Sequence, residues 1–314
     1  VDQEMTITIK DCQEDGIYIN LDLTKKCNFE CAHCGMSAGP TVRSGYMTHE
    51  VLQEVRRMVG WCNEREIRVT LNLIGGEPTL NLTEFARVLR ELDDLDVTFE
   101  MTTNGWWIAR KHTLLRFMDI IRPYIKGDCF DNGFSVRISD DQYHRWERQK
   151  RGETYMEKSL LANIHDLWDN FYEYIEENDY YRLPERPHDE CGWIYVEKDF
   201  DKPVVPIGRG ADCNSRADKC DHNHHFKLTF EPHGELTDIC CKFSVCRFGT
   251  VSDNPLYLLN LADKFLRERS PDCWNCLEAA EEWKKDRLEQ AWLEVQTEVQ
   301  LELDQPDPQE DPDL

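Results

Sequence analysis

The sequence has no run of about 18 consecutive apolar residues, the length needed to cross a bilayer, and no charged-then-apolar leader stands before its first alternating stretch. Positive charge is also scarce, with 37 Lys and Arg against 61 Asp and Glu, so the formal net charge is -24. A chain this acidic repels polyanions, which disfavours nucleic acid as a partner, although a locally basic cleft stays possible. Together these absences predict a cytoplasmic protein without a membrane span. At 314 residues it is long enough for one large core with an appendage, or for two domains.

Cysteine, by contrast, is abundant, with 14 in the chain. In a reducing compartment cysteines serve as metal ligands more often than as disulfides. Cys12, Cys62, Cys129 and Cys191 have no partner at ligand spacing, and their expected role is that of small buried hydrophobes. Three others are grouped in Thr24-Lys-Lys-Cys27-Asn-Phe-Glu-Cys31-Ala-His-Cys34-Gly-Met36, directly after an alternating stretch. Three thiolates on one short loop hold three corners of a cubane and leave one iron open to an outside molecule. That pattern suits a reactive cluster better than a pure electron carrier.

The surrounding chain reads as an α/β protein. Residues 17–24 alternate, with Ile17, Ile19, Leu21 and Leu23 on one side and Tyr18, Asn20, Asp22 and Thr24 on the other, which predicts a strand. Strands are expected likewise at 67–74 (polar side Arg68, Thr70, Asn72), 97–104 (Thr98, Glu100, Thr102, Asn104) and 134–140 (Ser135, Arg137, Ser139). Helices are expected over 48–61, with Thr48 as N-cap and Val51, Leu52, Val55, Met58 and Val59 inward, and over 83–92, with Phe85, Val88, Leu89 and Leu92 inward.

Alternating strands and helices imply parallel pairing. Because each strand keeps one polar face, those faces should line a shared interior, as in a partial (β/α)6 TIM-like barrel. In that lumen Glu100 should pair with Arg68 or Arg137, since an unpaired buried charge is costly. Residues 193–196 and 204–207 are candidate strands five and six. Residues 140–144 read as a turn, with Tyr143 and His144 in a solvated loop ahead of the alternative that they face a substrate, and 155–180 as an aromatic-rich helix.

The cysteine loop with His33 before its last cysteine, followed one helix and one strand later by Gly75-Gly76-Glu77-Pro78, resembles the radical S-adenosylmethionine (radical SAM) enzymes. The resemblance covers residues 15–210 as the catalytic domain. It implies that Cys27, Cys31 and Cys34 hold a [4Fe–4S] cluster and that S-adenosylmethionine is the outside molecule. It places Gly75, Gly76, Glu77 and Pro78 at the methionine amino group, with Glu77 as acceptor and the glycines allowing close backbone approach. It assigns Asn104, Ser135, Arg137 and Ser139 to ribose or carboxylate contacts and Ile207 to the adenine, with ordinary interior hydrogen bonding the other reading for the polar four. His33 is a cofactor-site residue by position, with packing the equal alternative. The family further implies oxygen sensitivity and an electron donor of flavodoxin or ferredoxin type.

A second cysteine group follows. Cys213, Cys220, Cys240, Cys241, Cys246, Cys273 and Cys276 flank an expected hairpin over 226–239, with its turn at Pro232-His-Gly234. Cysteine, hairpin, cysteine and Cys-x2-Cys resemble the twitch domain, a shortened SPASM-type unit with one auxiliary iron–sulfur cluster. The preferred ligands are Cys220, Cys240, Cys273 and Cys276; Cys213 and Cys241 are rivals, because the cysteine after the hairpin comes one residue late and as a doublet. A zinc site, with His222, His224 and His225 as further donors, is the other reading. The domain division expected is 1–210 barrel, 211–276 auxiliary unit, 277–303 a helix docking through Trp283, Trp292, Leu293 and Val295, and 304–314 a disordered acidic tail.

The function implied is hydrogen-atom abstraction from a small-molecule or nucleotide substrate, leading to oxidation, rearrangement or dehydration. Peptide maturation ranks behind, as no winged helix is evident near the N-terminus, and modification of nucleic acid bases ranks third on charge. A zinc-stabilised binding protein or an iron–sulfur electron carrier uses the same cysteines, but neither accounts for the open three-cysteine loop together with Gly-Gly-Glu-Pro.

Overall fold

The computed structural model describes residues 7–108, 110–124, 134–139, 141–152, 194–197, 226–237, 249–268 and 276–304. The chain enters through α1 (Ile9–Asp15), whose N-cap Thr8 exchanges hydrogen bonds with Asp11 in a capping box. It then alternates β1 (Ile17–Asp22), α2 (His49–Asn63), β2 (Val69–Ile74), a 3-10 turn (Pro78–Asn81), α3 (Leu82–Glu91), β3 (Thr98–Thr103), α4 (Lys111–Ile121), β4 (Phe134–Ser139), α5 (Gln142–Lys150) and β5 (Ile194–Glu197). After these come β6 (Lys227–Phe230), β7 (Leu236–Thr237), α6 (Pro255–Glu268) and α7 (Cys276–Leu303).

The sheet order is β5-β4-β3-β2-β1-β6-β7, parallel throughout except for the last pair. This is the expected partial barrel, and the strand alternation explains it. Ile19, Leu21, Leu23, Leu71, Leu73, Met101 and Ile138 are fully buried against the helices, each such aliphatic contributing about 1.5–3 kcal/mol. Thr48 caps α2, and Val51, Leu52, Val55, Met58 and Val59 form its buried face as the period predicts. Phe85, Phe117 and Phe134 pack ring on ring under β3 and β4, with centroids 5.9 and 6.4 Å apart. Cys12 and Cys62 are buried free thiols, as expected of unpaired cysteines.

Three features differ from the sequence expectation. The hairpin over 226–239 is present as β6 and β7, but β6 lies in parallel register on β1, with Ile19 opposite Leu228 and Leu21 opposite Phe230. It therefore continues the barrel sheet. Arg68 does not enter the lumen; it reaches outward to the Glu14 carbonyl at 2.9 Å, because it precedes β2 at the outer end of the strand. In α7 the expected Val295 and Trp292 do pack on the core, beside Ala291 and Val299, while Leu293 is 54% exposed. The candidate strand 204–207, the helix 155–180, Cys129, Cys191, Trp283 as a docking side chain and the tail beyond 304 lie outside the described residues.

The N-terminal segment is tied to the far end of the chain by one buried side chain. Asn260 on α6 accepts from Ile7 N at 2.8 Å and donates to Ile7 O at 2.9 Å and Leu256 O at 3.0 Å. Asn260→Ala should cost about 2–3 kcal/mol, since it strands two backbone groups. The measurement is the urea midpoint, together with the rate of proteolysis near Ile7; unchanged values in both would refute the clasp.

Candidate active site

The rim at the C-terminal ends of the strands holds a cavity of about 320 Å³ lined by the cysteine loop, the Gly75-Gly76 turn, Thr103-Asn104, Ser139 and His144. Cys27, Cys31 and Cys34 all face it, as do the expected His33, Asn104, Arg137 and Ser139. Ser135 stands two residues below Arg137 on the same face of β4, outside the lining. Ile207, Cys220, Cys240 and Cys273, the rivals Cys213 and Cys241, and His222, His224 and His225 lie outside the described residues. So does the side chain of Cys276, whose backbone begins α7.

The glycines meet a different neighbour from the one expected. Gly75 has φ +143°, and a Cβ on it would lie 2.5 Å from the Thr24 carbonyl oxygen; a Cβ on Gly76 would overlap the Lys26 carbonyl. Gly76 N donates to Thr24 O at 2.5 Å and Glu77 N to Lys26 O at 3.0 Å. What demands glycine here is the backbone of the cysteine loop itself, laced onto the turn.

Glu77 is engaged by the protein itself. Fully buried, it does not line the cavity. Oε1 accepts from Thr79 N, Thr79 Oγ1 and Thr103 Oγ1 at 3.1, 2.5 and 2.8 Å, and Oε2 from Asn104 N at 2.8 Å. The carboxylate is a brace between the turn and the end of β3. Burial raises its pKa, and these four donors pull against that rise. Pro78 starts the 3-10 turn and is buried, its carbonyl taken by the Tyr46 hydroxyl.

The thiols fit a metal cluster. Burial pushes Cys27 up to about 12, the Glu77 charge adding to it, and burial with the neighbouring thiols pushes Cys31 up as well. Thiolates form in such a place with cations among them, which a cluster provides. Donors already point at the first sulfur, Phe29 N at 3.3 Å and Asn104 Nδ2 at 3.7 Å, the kind of outer contact that orients a ligand and tunes its cluster.

The segment read as a solvated turn is a helix docked on this loop. Asp141 caps α5 by accepting from Tyr143 N and His144 N at 2.9 Å. Its Oδ2 also accepts from His144 Nδ1 at 2.7 Å and His33 Nε2 at 3.2 Å. Burial opposes its ionisation, yet these ring donors hold the carboxyl well below its usual range; His144 is pushed down by burial. Tyr143 stacks on His33 at 4.5 Å, so His33 has a packing role. Further along α5, Arg148 donates to Asn104 O at 3.0 Å and Ser139 O at 2.7 Å, and Glu147 accepts from Glu30 N at 3.1 Å. Aspartate as N-cap is the one local signal for this helix; its charged outward face and sparse apolar spacing give it no clear amphipathic period.

Deeper in the lumen, Glu100 is paired as expected with Arg137, at 2.9 Å, and also accepts from the Tyr18 hydroxyl. Asn20, Asn72, Thr102 and Lys227 complete the lining. The alternation put the first three on the polar strand faces, but nothing in their spacing marked them as site residues.

The family model described as "Radical SAM superfamily" matches residues 21–170. A GTP 3',8-cyclase of Campylobacter fetus subsp. fetus is 27% identical over 117 residues, 36% of this chain and 35% of that protein. An S-adenosylmethionine-dependent nucleotide dehydratase of Fibrobacter sp. is 23% identical over 155 residues, 48% of this chain and 43% of that one. The chain thus spans less than half the length of the curated relatives it matches. Among solved structures, that of BtrN in complex with AdoMet and 2-DOIA is 12% identical with a TM-score of 0.49, over 80% of this chain and 85% of that chain. Among the described residues no helix is long and apolar enough to cross a membrane.

Gly76→Ala should disconnect the cysteine loop from the turn, because the added Cβ meets backbone that has no rotamer to yield. After anaerobic reconstitution the variant should retain a small fraction of the wild-type iron and visible cluster absorption. Full iron loading would show that the loop does not depend on this contact.

Proposed function

From the premise that this chain is an enzyme of the radical SAM class, with its family domain over residues 21–170, we propose that it abstracts a hydrogen atom from a nucleotide or related small anionic substrate. The observation that carries this reading is the cavity in which three thiols, the Gly-Gly turn, Asn104, Arg137 and Ser139 converge. Cys27, Cys31 and Cys34 would hold a [4Fe–4S] cluster, which would supply the electron for reductive cleavage of S-adenosylmethionine.

The chain's own contribution is positioning and exclusion of water. Asn104 orients the Cys27 sulfur and stands, with Arg137 and Ser139, where the polar groups of S-adenosylmethionine need partners. Glu77 and Arg148 keep the Asn104 backbone in place from opposite sides. A flavodoxin- or ferredoxin-type protein is the proposed electron donor.

Two observations favour a nucleotide. The relatives named above act, by their names, on GTP or a nucleotide. The described cavity lining contains Lys227 and Arg137, the latter paired with Glu100, and both are side chains that donate to anionic groups. Cys220, Cys240, Cys273 and Cys276 are proposed to hold a second [4Fe–4S] cluster.

The test is 5'-deoxyadenosine formation by anaerobically reconstituted protein with dithionite, S-adenosylmethionine and each ribonucleoside triphosphate, beside Cys31→Ala. Product should require Cys31 and rise with one of the nucleotides. Iron-loaded protein that neither binds S-adenosylmethionine nor makes product would sink the reading. In a separate measurement, Cys273→Ala/Cys276→Ala should lower iron content by about half if each cluster has its own ligand set; an unchanged content would remove the second cluster.

A further inference from the structure

The polar row across the cavity floor ends in an atom that no described residue matches. Asn20 stands opposite Asn72 on one side and Thr229 on the other. Asn72 Nδ2 donates to Asn20 Oδ1 at 2.8 Å, and Asn20 Nδ2 donates to Thr229 Oγ1 at 2.9 Å. Each amide gives its proton toward β6, so the row terminates at Asn72 Oδ1, a buried acceptor with no hydrogen-bond partner among the described residues. Asn72 is 4% exposed and lines the cavity. Its neighbour across β3, Glu100, does not relieve it, since that carboxylate is itself an acceptor, engaged by Arg137 and Tyr18.

A buried amide oxygen left alone bears its desolvation penalty in full, and a donor from a bound molecule removes that penalty. The location says which molecule. Asn72 lies three residues before Gly75 on β2, about 10 Å down the strand, below the level where the cysteine loop and the Gly-Gly turn meet. An amide oxygen takes an N–H or O–H; phosphate and carbonyl oxygens, having no proton to give, cannot satisfy it.

We propose that Asn72 Oδ1 is a specificity-determining acceptor for an uncharged N–H or O–H on the nucleoside part of the substrate. Asn20 and Thr229 are positioning residues that turn the amide oxygen into the cavity. This inference rests on the nucleotide reading above.

Calorimetric titration of anaerobic, cluster-loaded protein with ATP, CTP, GTP and UTP, in the presence of S-adenosylmethionine and without reductant, tests it. The nucleotide that binds wild type should bind Asn72→Leu at least about tenfold more weakly, with S-adenosylmethionine affinity held within about twofold. Asn72→Val, β-branched, suited to a strand and without an acceptor, serves as a second variant with the same expectation should the leucine prevent loading. Equal nucleotide binding by variant and wild type overturns the inference and leaves the nucleotide reading standing. A parallel loss of S-adenosylmethionine affinity overturns it by assigning Asn72 to the cofactor. Failure of all four nucleotides to bind wild type overturns the nucleotide reading and the inference with it.

Discussion

The contact between the Gly75-Gly76 turn and the backbone of residues 24–26 is the constraint on which the site depends. Two strands end side by side, and the loops that follow them exchange hydrogen bonds at distances only glycine permits. This sets where the cysteine loop leaves the barrel and so where its three sulfurs point. Glu77, immediately after, carries the constraint across to β3 by accepting from Thr103 and Asn104. A buried carboxylate is costly unless its lone pairs are matched, and here the matching holds three rim segments in one arrangement.

Around that brace the loop is held from its other side. Helix α5 supplies a capping carboxylate that also binds two imidazoles, a ring stacked on His33, and a buried arginine that gathers the carbonyls of Asn104 and Ser139. Lys25 reaches across to Glu231, at the end of β6, at 2.7 Å. The loop between β1 and α2 therefore has partners on β2, α5 and the hairpin, which restricts the motion of a segment with little regular structure of its own.

The lumen follows a second rule, that polar groups facing inward must find one another. Glu100, Arg137 and Tyr18 form one closed set; Asn20, Asn72 and Thr229 form another that is open at one end. The open end belongs to a residue that lines the cavity.

Much of this was legible in the residues alone. Strict alternation marked the polar and apolar faces of β1 to β4, and Cys27, Cys31 and Cys34 with Gly75-Gly76-Glu77-Pro78 marked the rim, because these are local patterns with a fixed spacing. Tertiary structure decided what spacing does not encode: that the glycines approach a neighbouring loop, that Glu77 turns away from the cavity, that residues 142–150 form a helix against His33, that β6 pairs with β1, and that one oxygen of Asn72 has no mate among the described residues. Each depends on which segments, distant in sequence, meet at hydrogen-bond distance. Local periodicity specifies the face on which a side chain lies, and only the packed chain specifies which partner waits there.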